Sequence, residues 1–202
     1  MVDLSGKSAV VTGASRGIGA ATARELAASG AAVVLAARTV AEIGTIADEI
    51  TAAGGQAHAI ACDVTDYTQF EAATDAARAM TGKLDILINN AGVIDPIGPL
   101  ADSDPEEWVR AAAINYKSVY YGLRIALPVM KAQGAGTVAT YMQQAISASG
   151  INPVSQLDWS AHVPPEWPAR AMAWLCGPEG RDYAGEEVSL RDESIRRRIG
   201  LT

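Results

Sequence analysis

Cysteine, histidine and aromatic side chains are scarce in this 202-residue chain, which has two Cys, two His, one Phe and 5% aromatics. Cys62 and Cys176 fit no metal-ligand spacing, and two thiols make no disulfide framework, so a reducing compartment is expected. His58 falls in an apolar run and reads as core or edge. Asp158 and His162 stand four residues apart without a third ligand, so no metal site is expected. Positive charge is short too: 16 Lys and Arg against 23 Asp and Glu give a net charge of −7. That balance excludes a broad nucleic-acid footprint. The one basic cluster, Arg196, Arg197 and Arg198, follows Asp192 and Glu193 and reads as a solvated or subunit-contacting tail. No apolar run approaches the roughly 18 to 20 residues a spanning helix requires, so no membrane segment is expected. Met1-Val2-Asp3-Leu4-Ser5-Gly6-Lys7 carries no charged-then-apolar leader, and a cytoplasmic location is the expectation.

What the chain does have is aliphatic residues and glycine. Hydrophobic residues make up 49%, charged ones 19%, and there are 19 Gly, a composition for helices packed on strands in one globular domain. Through residue 140, short β-branched runs alternate with Ala-rich amphipathic stretches, the pattern of βαβ units and a parallel sheet. Strands are expected at Ser8–Thr12, Ala32–Ala37, Gln56–Ala61, Leu84–Asn89 and Thr137–Tyr141. Helices are expected at Ile18–Ser29, Val40–Ala53 and Asp66–Thr81, each ended or followed by Gly. Ser103-Asp104-Pro105-Glu106 signals the start of a longer helix that runs towards Met130, with Pro128 as a bend point. Beyond Tyr141, Trp and Pro accumulate, with one helix near Pro165–Leu175 and one strand near Glu186–Ser189.

The strongest local signal is Val10-Val11-Thr12-Gly13-Ala14-Ser15-Arg16-Gly17-Ile18-Gly19, a strand passing through a Gly-rich turn into a helix. Gly13 permits the tight turn, Gly17 lets backbone approach a diphosphate, and Gly19 allows close helix packing. The helix start then offers free N–H donors to phosphate. Asp63-Val64 follows the third strand, and Asn89-Asn90-Ala91-Gly92 the fourth. With the spacing Thr-Gly-x-x-x-Gly-x-Gly, this set resembles the short-chain dehydrogenase/reductase family over roughly residues 5–140, and again weakly over about 150–190. The resemblance implies a doubly wound, Rossmann-like α/β domain with strand order 3-2-1-4-5 and remnants of a sixth and seventh strand. That single domain is expected to span residues 1–202, with a nucleotide-binding core at 1–141 and a shortened C-terminal part at 142–202. By resemblance and charge together, the expected cofactor site is Gly13, Ser15, Arg16, Gly17, Ile18, Gly19, Arg38, Asp63, Val64, Asn90, Ala91 and Gly92. Strand two ends Ala36-Ala37-Arg38 with no acid until Glu42, so no carboxylate waits for a ribose 2′-OH. Arg38 and Arg16 can instead pair with a 2′-phosphate, which favours NADP(H) over NAD(H).

The family acts on a carbonyl/alcohol pair with a Ser, a Tyr, a Lys four residues after that Tyr, and an Asn on the long helix. Asn115 matches the Asn. None of Tyr67, Tyr116, Tyr120, Tyr121, Tyr141 and Tyr183 has Lys at +4, and the last Lys is Lys131. Tyr120 with Arg124 has the spacing, but Arg stays charged and cannot shuttle a proton, so the pair reads as helix surface. Val138 to Gln144 holds no Ser. Ile151-Asn152-Pro153-Val154 resembles the sixth strand, so about ten residues stand where a crossover needs roughly 30. The segment that should carry Ser, Tyr and Lys is short, which predicts impaired catalysis and weakened NADP(H) binding at the nicotinamide end. An uncovered sheet face predicts a homo-oligomer, or a C-terminal segment whose Trp residues fill the gap. Three functions follow: an oxidoreductase using other groups, a non-catalytic nucleotide-binding or assembly protein, or a non-redox enzyme of cyclase or dehydratase type. The substrate, a small molecule, is not named by the sequence.

Overall fold

The computed structural model describes residues 2–134, 137–140, 164–183, 190 and 192–201. Five parallel strands, β1 (Ser8–Thr12), β2 (Ala32–Ala37), β3 (Gln56–Ala61), β4 (Ile86–Asn89) and β5 (Thr137–Thr140), form one sheet in the order β3-β2-β1-β4-β5. The expected order and β1, β2 and β3 match residue for residue. Between the strands run α1 (Gly17–Ala28), α2 (Val40–Ala52) and α3 (Tyr67–Thr81). A long helix follows as α4 (Pro105–Ala112), a π turn (Ala113–Lys117) and α5 (Ser118–Gln133), and then come α6 (Glu166–Leu175) and α7 (Glu193–Arg198).

Strand side chains alternate between faces, and the two cores divide on that alternation. Ala9, Val11, Val33, Leu35, Ile86 and Ile88 pack with α1, α2 and α6, whereas Val10, Val34 and Leu87 pack with Phe70 of α3 and Ile125, Ala126 and Met130 of α5. Both faces of the central strands are thereby covered, as a parallel sheet requires. Asp66 caps α3 by accepting from Thr68 N and Gln69 N, and the Thr68 hydroxyl chiefly holds its carboxyl below the usual range. Gly82 (φ 81°) closes that helix in the left-handed conformation.

Three expectations need correction. β4 starts at Ile86 rather than Leu84, because the Gln133 side chain occupies both Leu84 N (3.1 Å) and Leu84 O (3.0 Å). The long helix runs through Pro128 to Gln133, and its irregularity is the π turn at Ala113–Lys117. The Arg196–Arg198 tail is helix α7, capped by Asp192 and seated on buried Ile195, with Arg197 paired to Glu193 at 2.5 Å and Arg198 donating to Tyr183 Oη at 2.8 Å. His58 is exposed on the edge strand β3. The domain boundary at 141, the strands at 151–154 and 186–189, and the Asp158/His162 pair lie outside the described residues.

Both thiols are buried and free. Burial first, then the Asp63 and Asp66 carboxylates, push Cys62 up to about 11, and burial pushes Cys176 up to about 12. The thiolate is the reactive form. Neither Cys is expected to take up iodoacetamide at pH 7.5 in the folded protein, and both are expected to do so in denaturant. Rapid labelling without denaturant would contradict this burial.

Candidate functional site

The site grows from the carboxyl ends of four adjacent strands. Thr12, the last residue of β1, is 1% exposed, and its hydroxyl donates to Ile88 O at 3.2 Å. The same oxygen accepts from Asn90 N (3.0 Å) and Ala91 N (3.1 Å). Asn90 Nδ2 returns two bonds, to Thr12 O at 2.9 Å and Gly13 O at 3.2 Å. The exits of β1 and β4 are therefore stitched together, and the Gly-rich turn is held against the segment after β4. Thr12→Val keeps the shape but strands two backbone donors, a loss of about 1 to 3 kcal/mol. Thermal melts should show a lower midpoint with the melting cooperativity kept.

That stitch leaves no room for side chains. Gly13 sits at φ 63°, and a Cβ there would lie 2.8 Å from Ala91 Cα. A Cβ on Gly19 would run into the Gly13 carbonyl oxygen and the Asn90 amide nitrogen. Gly17 opens α1 at φ 54°. Its N-cap, Arg16, makes no side-chain cap, and no acid stands in the first turn. The first-turn amides and the positive end of the helix dipole are thus free to meet an anion. Ser15 is half-buried in the turn and Ile18 is buried behind it.

The neighbouring strands add charge. Arg38 is the first residue past β2, exposed like Arg16, and neither makes an ion pair or hydrogen bond among the described residues. One strand over, Asp63 is half-buried beside buried Val64. Its Oδ1 accepts from Thr65 N (2.9 Å) and Thr65 Oγ1 (2.8 Å), and its backbone N donates to Gln69 Oε1 at 2.9 Å. Gly92 follows Ala91 on the exposed rim. The twelve cofactor residues expected from the sequence therefore converge on one edge of the sheet. That edge is where ligands of open α/β sheets bind.

Asn115 lies elsewhere, on the π turn of the long helix. Its Nδ2 donates to Val93 O at 2.7 Å and its Oδ1 accepts from Val93 N at 2.9 Å. Both ends of the amide are engaged by backbone, so Asn115 positions the segment leaving β4. The roles of Thr12, Thr65, Gln69 and Val93 were not read from sequence. Asp63-Val64-Thr65 carries the one available signal, an Asp two residues before a Thr as in an Asx turn. Asn89 is 4% exposed, and its side-chain amide has no partner among the described residues. Its Oδ1 abuts Gly122, where a Cβ would come within 2.6 Å. Tyr120 and Arg124 are exposed on α5, as expected.

The short chain dehydrogenase family model matches residues 7–154. A 4-formylbenzenesulfonate dehydrogenase of Comamonas testosteroni is 38% identical over 158 residues, covering 78% of this chain and 61% of that protein. The chain spans about three fifths of the length of such curated relatives. A metagenomic short-chain oxidoreductase solved in complex with NADP is 35% identical, with a TM-score of 0.72 over 86% of this chain and 91% of that one. A short-chain dehydrogenase/reductase of Burkholderia phymatum solved in complex with NAD is 34% identical, with a TM-score of 0.66 over 69% of this chain and 50% of that one. Among the described residues no helix is long and apolar enough to cross a membrane, and no cluster of three or more His, Cys, Asp or Glu could hold a metal ion. With its Gly-rich turn, its strand order and these similarities, the chain belongs to the short-chain dehydrogenase family of oxidoreductases.

Proposed function

We propose that the chain binds NADP(H) across the carboxyl edge of β1 to β4, and that it lacks the proton-transfer set its family uses on a carbonyl/alcohol pair. One observation carries the binding: the Thr12–Asn90 stitch that keeps Gly13 and Gly19 bare against the uncapped start of α1. The amides from Gly13 to Gly19 hold the diphosphate. Asp63 and Val64 border the adenine, and Asn90, Ala91 and Gly92 border the ribose at the nicotinamide end. Arg16 and Arg38 hold a 2′-phosphate, and no acid stands nearer along the chain than Glu42 to repel it. The solved metagenomic neighbour's complex with NADP supports that choice, while the complex of the Burkholderia neighbour with NAD keeps both dinucleotides in the comparison.

The bound cofactor supplies the hydride donor or acceptor. The chain's own residues must then move a proton at the substrate oxygen. No Tyr has Lys four residues on, and Asn115 is spent on Val93. General acid catalysis contributes typically 10²- to 10⁴-fold, so carbonyl reduction should run at least about 100-fold slower than in relatives with the full set. Binding energy resides at the adenosine end, with weaker hold on the nicotinamide. The reducing cytoplasm suits two free buried thiols.

The test pairs fluorescence titrations of NADPH and NADH with turnover on a panel of ketones and aldehydes. NADPH should bind about 10-fold or more tightly than NADH. No NADPH binding up to millimolar concentration overturns the cofactor reading. Turnover at ordinary family rates overturns the catalytic one, and binding with no turnover at all favours a nucleotide-binding or assembly role.

A further inference from the structure

Strand β3 leaves one edge of the sheet open. It pairs with β2 without a break, from Ala32↔Gln56 to Ala37↔Ala61, and no strand lies on its other side among the described residues. In a parallel ladder a residue's N–H and C=O point to the same side, and the side alternates along the strand. Cys62 N donates to Ala37 O at 3.0 Å, so Gln56, His58 and Ile60 also turn towards β2. Ala57, Ala59 and Ala61 therefore turn their backbone groups outward, and none of them makes a further backbone hydrogen bond among the described residues. Native edges are ordinarily shielded by charged side chains, a proline or a bulge. The run Gln56-Ala57-His58-Ala59-Ile60-Ala61 holds no Lys, Arg, Asp, Glu or Pro, and its register with β2 has no bulge. We propose that this edge joins two copies of the chain, β3 against β3, antiparallel about a twofold axis at Ala59, so that the two sheets become one.

The edge favours a copy of itself over a foreign strand. Its outward residues are evenly spaced about the middle one, so an antiparallel copy sets Ala59 against Ala59 and Ala57 against Ala61. Every outward N–H and C=O of both copies is then met, with about 5.5 Å between facing Cα atoms. A twofold contact must be self-complementary in this way. Nothing bulky overhangs the gap, because the three outward residues carry only methyl groups, and those of Ala57 and Ala59 pack on the core shared with α1 and α2. Charge points the same way. A charged edge strand would meet its like across the axis, and although the chain carries a net −7, none of its charged residues stands on β3. Helix α2 fits the same arrangement. Glu49 pairs with Arg24 of α1, and Val40 and Thr51 lie on the opposite flank of α2. Val40 is 49% exposed, and the twofold axis turns it towards Thr51 of the other copy. The sheet face from which the sequence predicted an oligomer is not this edge, and the proposal does not depend on the dinucleotide reading.

Sedimentation velocity and residue-resolved amide exchange of the full chain test the proposal. The unaltered chain should be a dimer at micromolar concentration. The amides of Ala57, Ala59 and Ala61 should be protected in the dimer and exchange freely on dilution to monomer, while those of His58 and Ile60, bonded to β2, stay protected in both. Ala61 is exposed and belongs to neither core. Ala61→Lys should weaken dimerisation about 10-fold, with the melting temperature of the monomer unchanged. Ala59→Pro removes an N–H that β2 does not use and should weaken dimerisation about 100-fold. If Ala59→Pro does not fold, Ala61→Lys and the exchange pattern decide. A chain that is monomeric throughout, a dimer indifferent to Ala61→Lys, or a dimer whose three alanine amides exchange as in the monomer overturns the proposal.

Discussion

Gly19→Val should weaken NADPH binding by more than about 100-fold, equivalent to roughly 2.8 kcal/mol. The reason lies in what surrounds the missing Cβ. Gly19 is buried in the first turn of α1, and the space a side chain would need is filled by the Gly13 carbonyl and by Asn90 Nδ2. Both belong to the stitch: Asn90 Nδ2 donates to Thr12 O and Gly13 O. A branched side chain drives the start of α1 away from β1, moves the first-turn amides off the phosphate position and breaks those two bonds together. Binding and stability should therefore fall together, and a thermal melt separates a displaced turn from an unfolded chain. The control is Gly44→Ala in α2, where nothing lies within 4 Å of a built Cβ. It should raise stability by roughly 0.5 to 1 kcal/mol, the usual gain over Gly in a helix interior, and leave NADPH binding unchanged. A Gly19→Val titration within threefold of the parent would show that the turn does not carry the diphosphate.

This turn was readable because its chemistry is written in backbone. A glycine that must sit at φ 63°, or at a spot without space for a Cβ, has no substitute, so spacing alone reveals it. The first two strands were readable for a related reason. β2 is buried at every position and is an unbroken apolar run, and β1 places Ala9, Val10 and Val11 between a buried Ser8 and Thr12, whereas β3 is an edge strand with exposed positions and shows only as a run between its flanking helices. Thr12 was not readable in its role, because a threonine ending a strand looks like any β-former, and its hydroxyl matters only once β4 is beside it. Asn115 could be matched only by resemblance. Its hold on Val93 comes from a π turn, whose extra residue per turn leaves no period in the sequence. The start of β4 was misplaced because Gln133, 49 positions on, takes both backbone groups of Leu84. Helix α7 is six residues with three adjacent arginines, too short to show an apolar stripe. What fixes it is Asp192 accepting from Ser194 N and the burial of one residue, Ile195.

Cofactor choice should turn on Arg38. Arg38→Asp is expected to weaken NADPH by about 10- to 100-fold and to leave NADH unchanged or tighter. A charge-assisted hydrogen bond contributes roughly 1.5 to 3 kcal/mol, which sets that range. The substitution also does more than remove a partner. Arg38 is the first residue beyond β2, the place from which a carboxylate accepts from a ribose 2′-OH and repels a 2′-phosphate. At 4 Å, two like charges cost about 1 kcal/mol in water and about 4 kcal/mol at an effective dielectric of 20, so the repulsion at this exposed position is worth about fivefold or more. Arg16 approaches from the Gly-rich turn, on the neighbouring strand's exit, since Thr12 and Ala36 are register partners. Arg16→Ala should thus lose less than Arg38→Asp, and the two losses should not add fully, because one phosphate is shared. Both arginines are exposed, so the proposed preference for NADPH should shrink as salt rises and the Debye length falls from about 10 Å at 0.1 M towards 3 Å at 1 M. Fluorescence titrations with both dinucleotides at two ionic strengths measure all of this. If the Arg16→Ala, Arg38→Asp double variant binds NADPH as the parent does, the 2′-phosphate is held by other groups and the preference has another origin.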